Sequence, residues 1–223
     1  MTMTNKLIIF GSGQISEIAN FYFSHDSDLE VAAFTVDPAY VKESTFCERP
    51  LVPFDEVSGR FPPDQYKAFV AVSYSKLNTV REAKCNLLRH AGYELVSYVS
   101  SRATVWSDLK IGENCFILED NTVQPFVRIG RNVTLWSGNH IGHHSVIEDN
   151  VFISSHVVIS GNVVVGASSF LGVNSTIHDG VKVGARNVIG AGSLIDAHTE
   201  DESVFRSSAT EKSRVPSSRL KSL

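Results

Sequence analysis

An aliphatic residue recurs at every sixth position of the second half of the chain, without a single insertion. These positions are Val105, Ile111, Ile117, Val123, Ile129, Leu135, Ile141, Ile147, Ile153, Ile159, Val165, Leu171, Ile177, Val183, Ile189 and Ile195. A smaller residue often stands two positions earlier, and a glycine often follows, as at Gly112, Gly130 and Gly142. An uninterrupted period of six is typical of a parallel β-helix built from hexapeptide repeats.

The repeat dictates the geometry of such a fold. Each hexad forms a short strand and a turn, three hexads close one triangular coil, and every eighteenth residue returns to the same place in the next coil. Neighbouring coils lie about 4.8 Å apart, as in any hydrogen-bonded sheet. One coil cannot bury its apolar face alone, so the repeat predicts a stack of about five coils. A scaffold without chemistry is disfavoured, because the outward positions are irregular and carry no flat ladder of Thr or Asn.

The first half alternates apolar runs with helical segments. The runs are LIIF, VAAFTV, AFVAVS and ELVSYV, and helices are predicted from Gln14 to about Phe23 and over about 76–91. This rhythm predicts a small Rossmann-like parallel α/β domain. We therefore expect three parts: residues 1–100 as the α/β domain, 101–198 as the β-helix and 199–223 as a C-terminal tail.

The loop GSGQIS connects the first predicted strand to the first predicted helix. Gly11, Ser12 and Gly13 would let backbone N–H groups approach a phosphate at the helix N-terminus, where negative charge is favoured. Asp37 ends the second strand, near the position of a ribose-binding acid in dinucleotide folds. Ser16 stands where that fingerprint has its third residue, Gly or Ala. Only one mononucleotide-binding half is present. The loop therefore favours a nucleotide other than NAD, with a plain tight turn as the alternative.

A second loop, SYSKLNTVR, leads from a strand end into a helix. Ligands of open α/β sheets gather at the carboxyl ends of the strands. Asn78 and Arg81 are therefore candidate substrate-binding residues beside Gly11–Gly13. A solvated helix face explains Arg81 equally well.

Composition narrows the class of ligand. The chain is 43% hydrophobic and has a net charge of -4 with mixed signs, so we expect small-molecule ligands and no nucleic-acid partner. It lacks the apolar run of about 20 residues that a membrane span needs, and MTMTNKLIIFGSG is interpreted as a first strand instead of a signal peptide. Cys47, Cys85 and Cys115 are odd in number and widely spaced, which suits a reducing cytoplasm better than disulfides.

Four histidines fall within GNHIGHHSVIEDNVFISSH, residues 138–156. In an eighteen-residue coil, none of His140, His143, His144 and His156 stacks on another histidine or on an acid, so no metal site is expected. His140 and His156 are interpreted either as exposed strand and turn residues or as parts of an acceptor pocket.

His143 follows a corner glycine and should project outward, with Gly161 directly beside it one coil later. Histidine titrates near neutral pH and suits a general base. A backbone N–H can stabilise the oxyanion of a tetrahedral intermediate. The pair is what acyl transfer from a thioester requires, and a merely solvated histidine is the alternative.

The chain resembles bacterial hexapeptide-repeat sugar acyltransferases of the sialic acid O-acetyltransferase and nucleotide-amino-sugar N-acetyltransferase family. The resemblance rests on a GSG-type α/β domain followed by repeats that include IGHHSVIEDNVFISSHVVISGNVVVG. It implies a left-handed β-helix, acetyl-CoA as cosubstrate and a homotrimer that binds acetyl-CoA in the groove between two β-helices. The outward apolar residues Phe116, Trp136 and Phe170 would suit that groove.

The family motif places its general base on His143. Its orienting acid falls on position 144, where this chain has His144. Either another acid such as Glu148 or Asp149 orients His143, or orientation matters less in this chain. The tail VFRSSATEKSRVPSS also departs from the family's Gly-x-Pro-Ala-Lys signature near the CoA adenine.

The family's backbone donor to the thioester carbonyl corresponds to Gly161. Its backbone contacts with the pantetheine arm correspond to Val173 and Ala191. These three positions are the expected acetyl-CoA-binding residues.

The resemblance also implies that the α/β domain binds a nucleotide sugar, which fits the two loops and Asp37. We therefore expect an acetyl-CoA-dependent N-acetyltransferase acting on a nucleotide-linked amino sugar in surface-glycan biosynthesis. A sugar O-acetyltransferase, a transferase of a larger acyl group and a non-catalytic nucleotide-sugar or CoA-binding trimer are the alternatives.

Overall fold

The computed structural model describes residues 5–219. It consists of an N-terminal α/β region followed by a parallel β-helix. The predicted domain 1–100 and the predicted tail 199–223 extend beyond these bounds, and their residues 1–4 and 220–223 lie outside the described part. Within residues 5–219, none of the helices has both the length and the apolar character that crossing a membrane requires.

The α/β region contains one five-stranded sheet with the strand order β3-β4-β2-β1-β5. Its strands are β1 (Lys6–Phe10), β2 (Glu30–Val36), β3 (Thr45–Phe46), β4 (Arg49–Pro53) and β5 (Lys67–Val70). Its helices are α1 (Gln14–His25), α2 (Phe54–Arg60) and α3 (Thr79–His90). The pairings of β1, β2, β4 and β5 are parallel, and only the β3–β4 hairpin is antiparallel.

Alternation along β1 explains why helices cover both faces of this sheet. Leu7 and Ile9 pack with Phe23 of α1, whereas Ile8 and Phe10 pack with Leu88 of α3. Strands that are buried on both faces need such a continuous apolar sequence.

The run ELVSYV was expected to be a strand of the α/β sheet, and the structure corrects this. Leu95 makes only an isolated bridge to Ala68. Residues Tyr98–Val99 form strand β6, which pairs with the β-helix strand Phe116–Ile117. The chain therefore joins the β-helix before the run ends.

The β-helix is built from two-residue strands that form three parallel sheets. The first sheet contains β7 (Lys110–Ile111), β10 (Arg128–Ile129), β13 (Val146–Ile147), β16 (Val164–Val165) and β19 (Lys182–Val183). The second contains β6, β8 (Phe116–Ile117), β11 (Thr134–Leu135), β14 (Phe152–Ile153), β17 (Phe170–Leu171), β20 (Val188–Ile189) and β22 (Val204–Phe205). The third contains β9 (Thr122–Val123), β12 (His140–Ile141), β15 (Val158–Ile159), β18 (Thr176–Ile177) and β21 (Leu194–Ile195).

The pairing register equals the predicted eighteen residues. Ile141, for example, pairs with Ile159, which in turn pairs with Ile177. The repeated aliphatic side chains from Ile117 to Ile195 form one buried core inside the β-helix. The left-handed sense of the coils and their number stay predictions.

Three corners connect the sheets, and we number them in chain order. The first corner joins the first sheet to the second, the second corner joins the second sheet to the third, and the third corner returns to the first sheet. In a triangular coil, the third corner lies opposite the second sheet.

The α/β region packs on the outer face of the second sheet. Phe116 contacts Tyr22 and Phe69, with ring centroids 5.8 and 5.4 Å apart. Tyr74 lies 5.1 Å from Phe170 by the same measure. The α/β region of the same chain therefore covers Phe116, Phe170 and the neighbouring Trp136. Phe116 is only 2% exposed, so the expectation that it lines a groove between subunits is wrong.

Candidate active site

His143 and Gly161 lie side by side on the third corner, in consecutive coils. A Cβ added to Gly161 would lie 2.6 Å from His143 Cε1 and 2.9 Å from its Nε2. The Gly161 side of the imidazole is therefore the side that carries Nε2. Because the eighteen-residue register brings these two positions together, the geometry expected from the sequence is present.

On the third corner, the N–H groups at the position of Gly161 differ in whether they have a partner. The N–H of His143 donates to Gln124 Oε1 at 2.9 Å, whereas among the described residues the N–H of Asp179 has no acceptor. Among the described residues, no acceptor lies within hydrogen-bonding geometry of the Gly161 N–H. A donor that is held in a rigid turn without a partner can bind an oxygen of a ligand.

His144 contacts His143 directly. The two Nδ1 atoms are 3.2 Å apart, and the two rings meet edge to face at 84°. His144 also lies against Phe126, with ring centroids 4.7 Å apart. A histidine thus stands next to the predicted base where the family motif has an acid.

Neither alternative carboxylate orients His143. Glu148 Oε2 accepts a hydrogen bond from the N–H of Ala167. Asp149 accepts from Arg131, and although burial opposes the effect, these hydrogen bonds hold the pKa of Asp149 below its usual value. The expectation that Glu148 or Asp149 replaces the missing acid is therefore wrong.

Asp179 is a nearby acid that sequence reasoning missed. Its Oδ1 would lie 2.9 Å from a Cβ on Gly161, so it approaches the same glycine as His143. The signal was available, because Asp179 stands eighteen residues after Gly161.

The other two histidines of the cluster lie elsewhere. His140 is partly buried on β12 of the third sheet. His156 is exposed on the second corner, with its ring against Gly138, where an added Cβ would lie 2.5 Å from Nδ1. The structure therefore brings neither ring into contact with that of His143.

Val173 and Ala191 lie on the second corner, because each follows a strand of the second sheet and precedes one of the third. Both are exposed. Gly161 lies on the third corner. One chain therefore presents the predicted acetyl-CoA contacts on two different edges of the β-helix.

The glycine loop of the α/β region has the conformation of a close approach. Gly11 has φ 132°, and an added Cβ would lie 2.6 Å from the carbonyl oxygen of Ala71. Ser16, which replaces the third small residue of the fingerprint, is buried and donates to that same carbonyl at 2.8 Å. Gly13 precedes α1 and has open space around it.

A cavity of about 450 Å³ lies beside this loop. It is lined by Ser12, Tyr40, Lys42, Glu43, Thr45, Phe46 and Leu51. Asp37 lies at the end of β2 and accepts a hydrogen bond from Lys84 Nζ at 2.7 Å. Ser12 was expected at this site, whereas Lys84 and the rest of the cavity lining were missed by sequence reasoning, because distant loops bring them together.

Asn78 and Arg81 hold the α/β region to the β-helix. Arg81 is 3% exposed and donates to the carbonyl oxygens of Asn114 and Asn132 and to Thr134 Oγ1. Asn78 is 1% exposed and its Nδ2 donates to the Asn150 carbonyl at 2.7 Å. These contacts with the β-helix speak against the expected contact with a substrate, and we do not retain either residue as a substrate ligand.

The repeat itself matches a known family model. The model described as bacterial transferase hexapeptide (six repeats) matches residues 108–143, 126–161 and 162–197. The hexapeptide pattern predicted from the sequence is therefore confirmed. No curated protein matches the chain in a comparison of sequences.

Several solved structures share the fold over most of the chain. The acetyltransferase domain of PglB from Neisseria gonorrhoeae, in complex with acetyl coenzyme A, is 19% identical, with a TM-score of 0.81 over 92% of this chain and 97% of that one. A variant of perosamine N-acetyltransferase from Caulobacter crescentus, in complex with CoA and GDP-perosamine, is 20% identical, with a TM-score of 0.79 over 91% and 93%.

WeeI from Acinetobacter baumannii is 19% identical, with a TM-score of 0.54 over 84% of this chain and 94% of that one. At these identities the likeness establishes the fold. Together with the family model, it confirms the predicted hexapeptide-repeat fold, which the chain shares with these sugar acetyltransferases.

Proposed function

We propose that the protein transfers an acetyl group from acetyl-CoA to the amine of a nucleotide-linked amino sugar, with His143 as the general base. The observation that carries this proposal is the imidazole of His143 beside Gly161, whose N–H has no partner among the described residues. The combination supplies a proton acceptor and an oxyanion donor at one point on the surface.

The reaction begins when the neutral amine attacks the thioester carbonyl carbon. The carbonyl oxygen becomes an oxyanion that accepts a hydrogen bond from the Gly161 N–H, and one such donor is worth roughly 3–4 kcal/mol in related chemistry. Nε2 of His143 takes the proton that the amine nitrogen loses. When the carbon–sulfur bond breaks, the imidazolium returns that proton to the thiolate, so the products are the N-acetyl sugar and CoA.

Acetyl-CoA would lie between two copies of the chain. Gly161 lies on the third corner, whereas Val173 and Ala191 lie on the second, so one chain cannot line both sides of a single groove. Val173 is 43% exposed and offers apolar surface to the pantetheine arm. A homotrimer of left-handed β-helices, each with about five coils, brings the second corner of one copy against the third corner of the next.

The acceptor would be held by the α/β part of residues 1–100, with 101–198 as the acyltransferase part and 199–223 as the tail. Strands β6 and β22 extend the second sheet of the β-helix into both outer ranges. The helix N-terminus at Gly11–Gly13 suits a diphosphate, and Asp37 suits a ribose hydroxyl. The α/β region covers the second sheet, opposite the third corner, so its nucleotide sugar would reach His143 of another copy. His140 and His156 are proposed to shape the acceptor pocket.

The reaction belongs to surface-glycan biosynthesis in the cytoplasm, where acetyl-CoA and nucleotide sugars are available. The test is release of free thiol from acetyl-CoA in the presence of a panel of UDP-, dTDP- and GDP-linked 3- or 4-amino sugars. The same assay is run on the His143→Asn variant, in which a side chain of similar shape replaces the proposed base. Rapid release with one amino sugar and its loss in the variant would establish the activity and the base.

Other outcomes of the same assay separate the alternatives. Thiol release that persists in His143→Asn would remove His143 from the mechanism. Release that occurs only when the corresponding hydroxyl sugars replace the amino sugars of the panel would identify an O-acetyltransferase. Binding of CoA without release in any mixture, including one with a longer acyl-CoA, would contradict the proposed activity.

A further inference from the structure

The third corner carries a column of residues with left-handed backbone conformation. Phe126, His144, Asn162 and Gly180 have φ values of 68°, 60°, 57° and 70° and follow one another at eighteen-residue spacing. Asn and Gly tolerate this region, whereas a bulky residue there is an outlier. Phe126 is in addition 68% exposed. Neither backbone preference nor burial explains an aromatic ring at this position.

The contacts of the two ring-bearing residues form a chain that ends at His143. Phe126 lies against His144, with ring centroids 4.7 Å apart and an angle of 38° between the planes. His144 Nδ1 lies 3.2 Å from His143 Nδ1. Gln124 fixes the backbone at the same point, because its Oε1 accepts from the His143 N–H.

The contact between the two Nδ1 atoms restricts where the protons can be. A hydrogen bond needs one nitrogen that carries hydrogen and one that does not. If Nε2 of His143, on the Gly161 side, is to accept a proton, the hydrogen of neutral His143 must be on Nδ1. Nδ1 of His144 must then be the acceptor, and its own hydrogen must be on Nε2.

We propose that His144 and Phe126 are positioning residues for His143: the neutral His144 accepts a hydrogen bond from His143 Nδ1–H, and the Phe126 ring holds His144 in place. This inference rests on the proposed function where it concerns catalysis. The pair replaces the carboxylate of the related motif with a neutral acceptor. It selects the tautomer of His143 whose Nε2 is free.

The charged groups around the pair are few. Asp179 approaches Gly161, on the Nε2 side of His143. Glu148 and Asp149, which follow β13 on the first corner, are bound to Ala167 N–H and to Arg131. The previous coil contributes Gln124 and Phe126, and the next coil contributes Asn162, all of them uncharged.

Three substitutions at position 144 separate the proposed role from a merely solvated turn. Glycine adopts the left-handed conformation without strain but has no acceptor. The Oδ1 of asparagine stands close to where Nδ1 of histidine stands, and aspartate adds a charge there. We expect kcat to fall roughly 10- to 100-fold in His144→Gly and to recover in His144→Asn and His144→Asp. Ser168→Gly, at a left-handed position of the first corner, is the control and should leave kcat unchanged.

The pH profile gives a second readout that a structural role would not move. A carboxylate beside an imidazole favours its charged form. In His144→Asp, His143 therefore stays protonated up to a higher pH, and the acid limb of the kcat/KM profile moves to higher pH. In His144→Asn the limb should stay near that of the wild type. Equal kcat values and identical profiles in the Gly, Asn and Asp variants would overturn the inference.

A double-mutant cycle tests Phe126. We expect Phe126→Asn to lower kcat several-fold in the wild type and to have no further effect in His144→Gly, because the ring then has nothing to hold. Independent, multiplicative losses would assign Phe126 a role that does not pass through His144.

A measurement without substrate separates this inference from the proposed function. In protein labelled with ¹⁵N-histidine, the ring nitrogen shifts should identify an Nδ1–H tautomer for His143 and an Nε2–H tautomer for His144. The His143 preference should be lost in His144→Gly. If these shifts are found in a protein that acetylates no sugar, the proposed hydrogen bond between His143 and His144 is supported and the proposed activity is refuted. An Nε2–H tautomer for His143 in the wild type would overturn the inference whatever the activity.

Discussion

The imidazole of His143 and the backbone of Gly161 fit together so closely that Gly161 has no room for a side chain. The two residues are eighteen positions apart, one full coil of the β-helix. Their contact is therefore a direct product of the repeat. It places the side chain that can take a proton next to the donor that can bind an oxyanion.

Substitution of Gly161 by alanine should damage catalysis more than folding. The added Cβ would lie 2.6 Å from Cε1 of His143 and 2.9 Å from Asp179 Oδ1, so the exposed imidazole must move. We expect kcat/KM to fall by about 100-fold or more, since a displacement of about 1 Å can cost that factor. The melting temperature should change little.

The matched control is Gly59→Ala in α2, where no atom lies within 4 Å of the added Cβ. This change should leave activity intact and stabilise the protein by roughly 0.5–1 kcal/mol. Full activity of Gly161→Ala would refute the role assigned to this contact.

Arg81→Met should lower stability without weakening substrate binding. Methionine fills the space of the side chain but leaves the carbonyl oxygens of Asn114 and Asn132 without their donor. We expect the free energy of unfolding in urea to fall by about 2–4 kcal/mol. The KM for the nucleotide sugar should be unchanged, and Arg60→Met on the exposed side of α2 should affect neither quantity. A raised KM with unchanged stability would restore Arg81 as a substrate ligand.

Asp37→Asn should weaken binding of the nucleotide sugar alone. The Asp37 carboxylate lies at the edge of the sheet near the glycine loop and is paired with Lys84. Loss of one charged hydrogen bond to a ribose hydroxyl costs about 1.5 kcal/mol or more, which corresponds to a KM about tenfold higher. The KM for acetyl-CoA should not change.

The comparable ion pair between Lys67 and Glu94 provides the control, because Lys67 begins β5 at the opposite edge of the sheet. Glu94→Gln should leave both KM values as they are. An Asp37→Asn enzyme with normal kinetics for the sugar would exclude Asp37 from the acceptor site.

Asp26 should make stability depend on pH in the acid range. Its Oδ2 accepts hydrogen bonds from Ser101 N–H, Tyr98 O–H and Ser100 Oγ–H, and these bonds lower the pKa of Asp26 to about 2. Because the folded pKa is depressed, the stabilisation is present above the ordinary value of about 4 and is lost as pH falls towards 2.

Urea unfolding at several pH values checks this. Asp26→Asn should be less stable than the wild type at pH 7, and the difference should shrink between about pH 4 and pH 2. Asp28→Asn, at an exposed position two residues later, should follow the wild type throughout. A difference between wild type and Asp26→Asn that stays constant over this range would contradict the prediction.

The regular half of the fold could be predicted because it is encoded by a period. Hydrogen bonds between coils lock the register at eighteen residues, so each repeat position has a known neighbour above and below. The contact of His143 with Gly161 follows from that arithmetic. The same arithmetic placed Phe126 beside His144, although no pattern along the chain indicated a role for an aromatic ring there.

Contacts between the two parts of the chain follow no period. Asn78 and Arg81 have the appearance of binding residues in the sequence, and their burial depends on which sheet of the β-helix the α/β region covers. Phe116 points outward from its coil whichever sheet the α/β region covers. Only the docking of the α/β region decides whether an outward ring faces solvent, a second copy or this region.

The sequence by itself determined the stacked coils and the meeting of base and backbone donor, because both depend on local spacing and on hydrogen bonds of fixed register. The tertiary structure alone decided the partner of His143, the burial of Arg81 and the separation of the glycine loop from the third corner. These features depend on how side-chain torsions settle and how two surfaces pack. No local pattern along the chain specifies either.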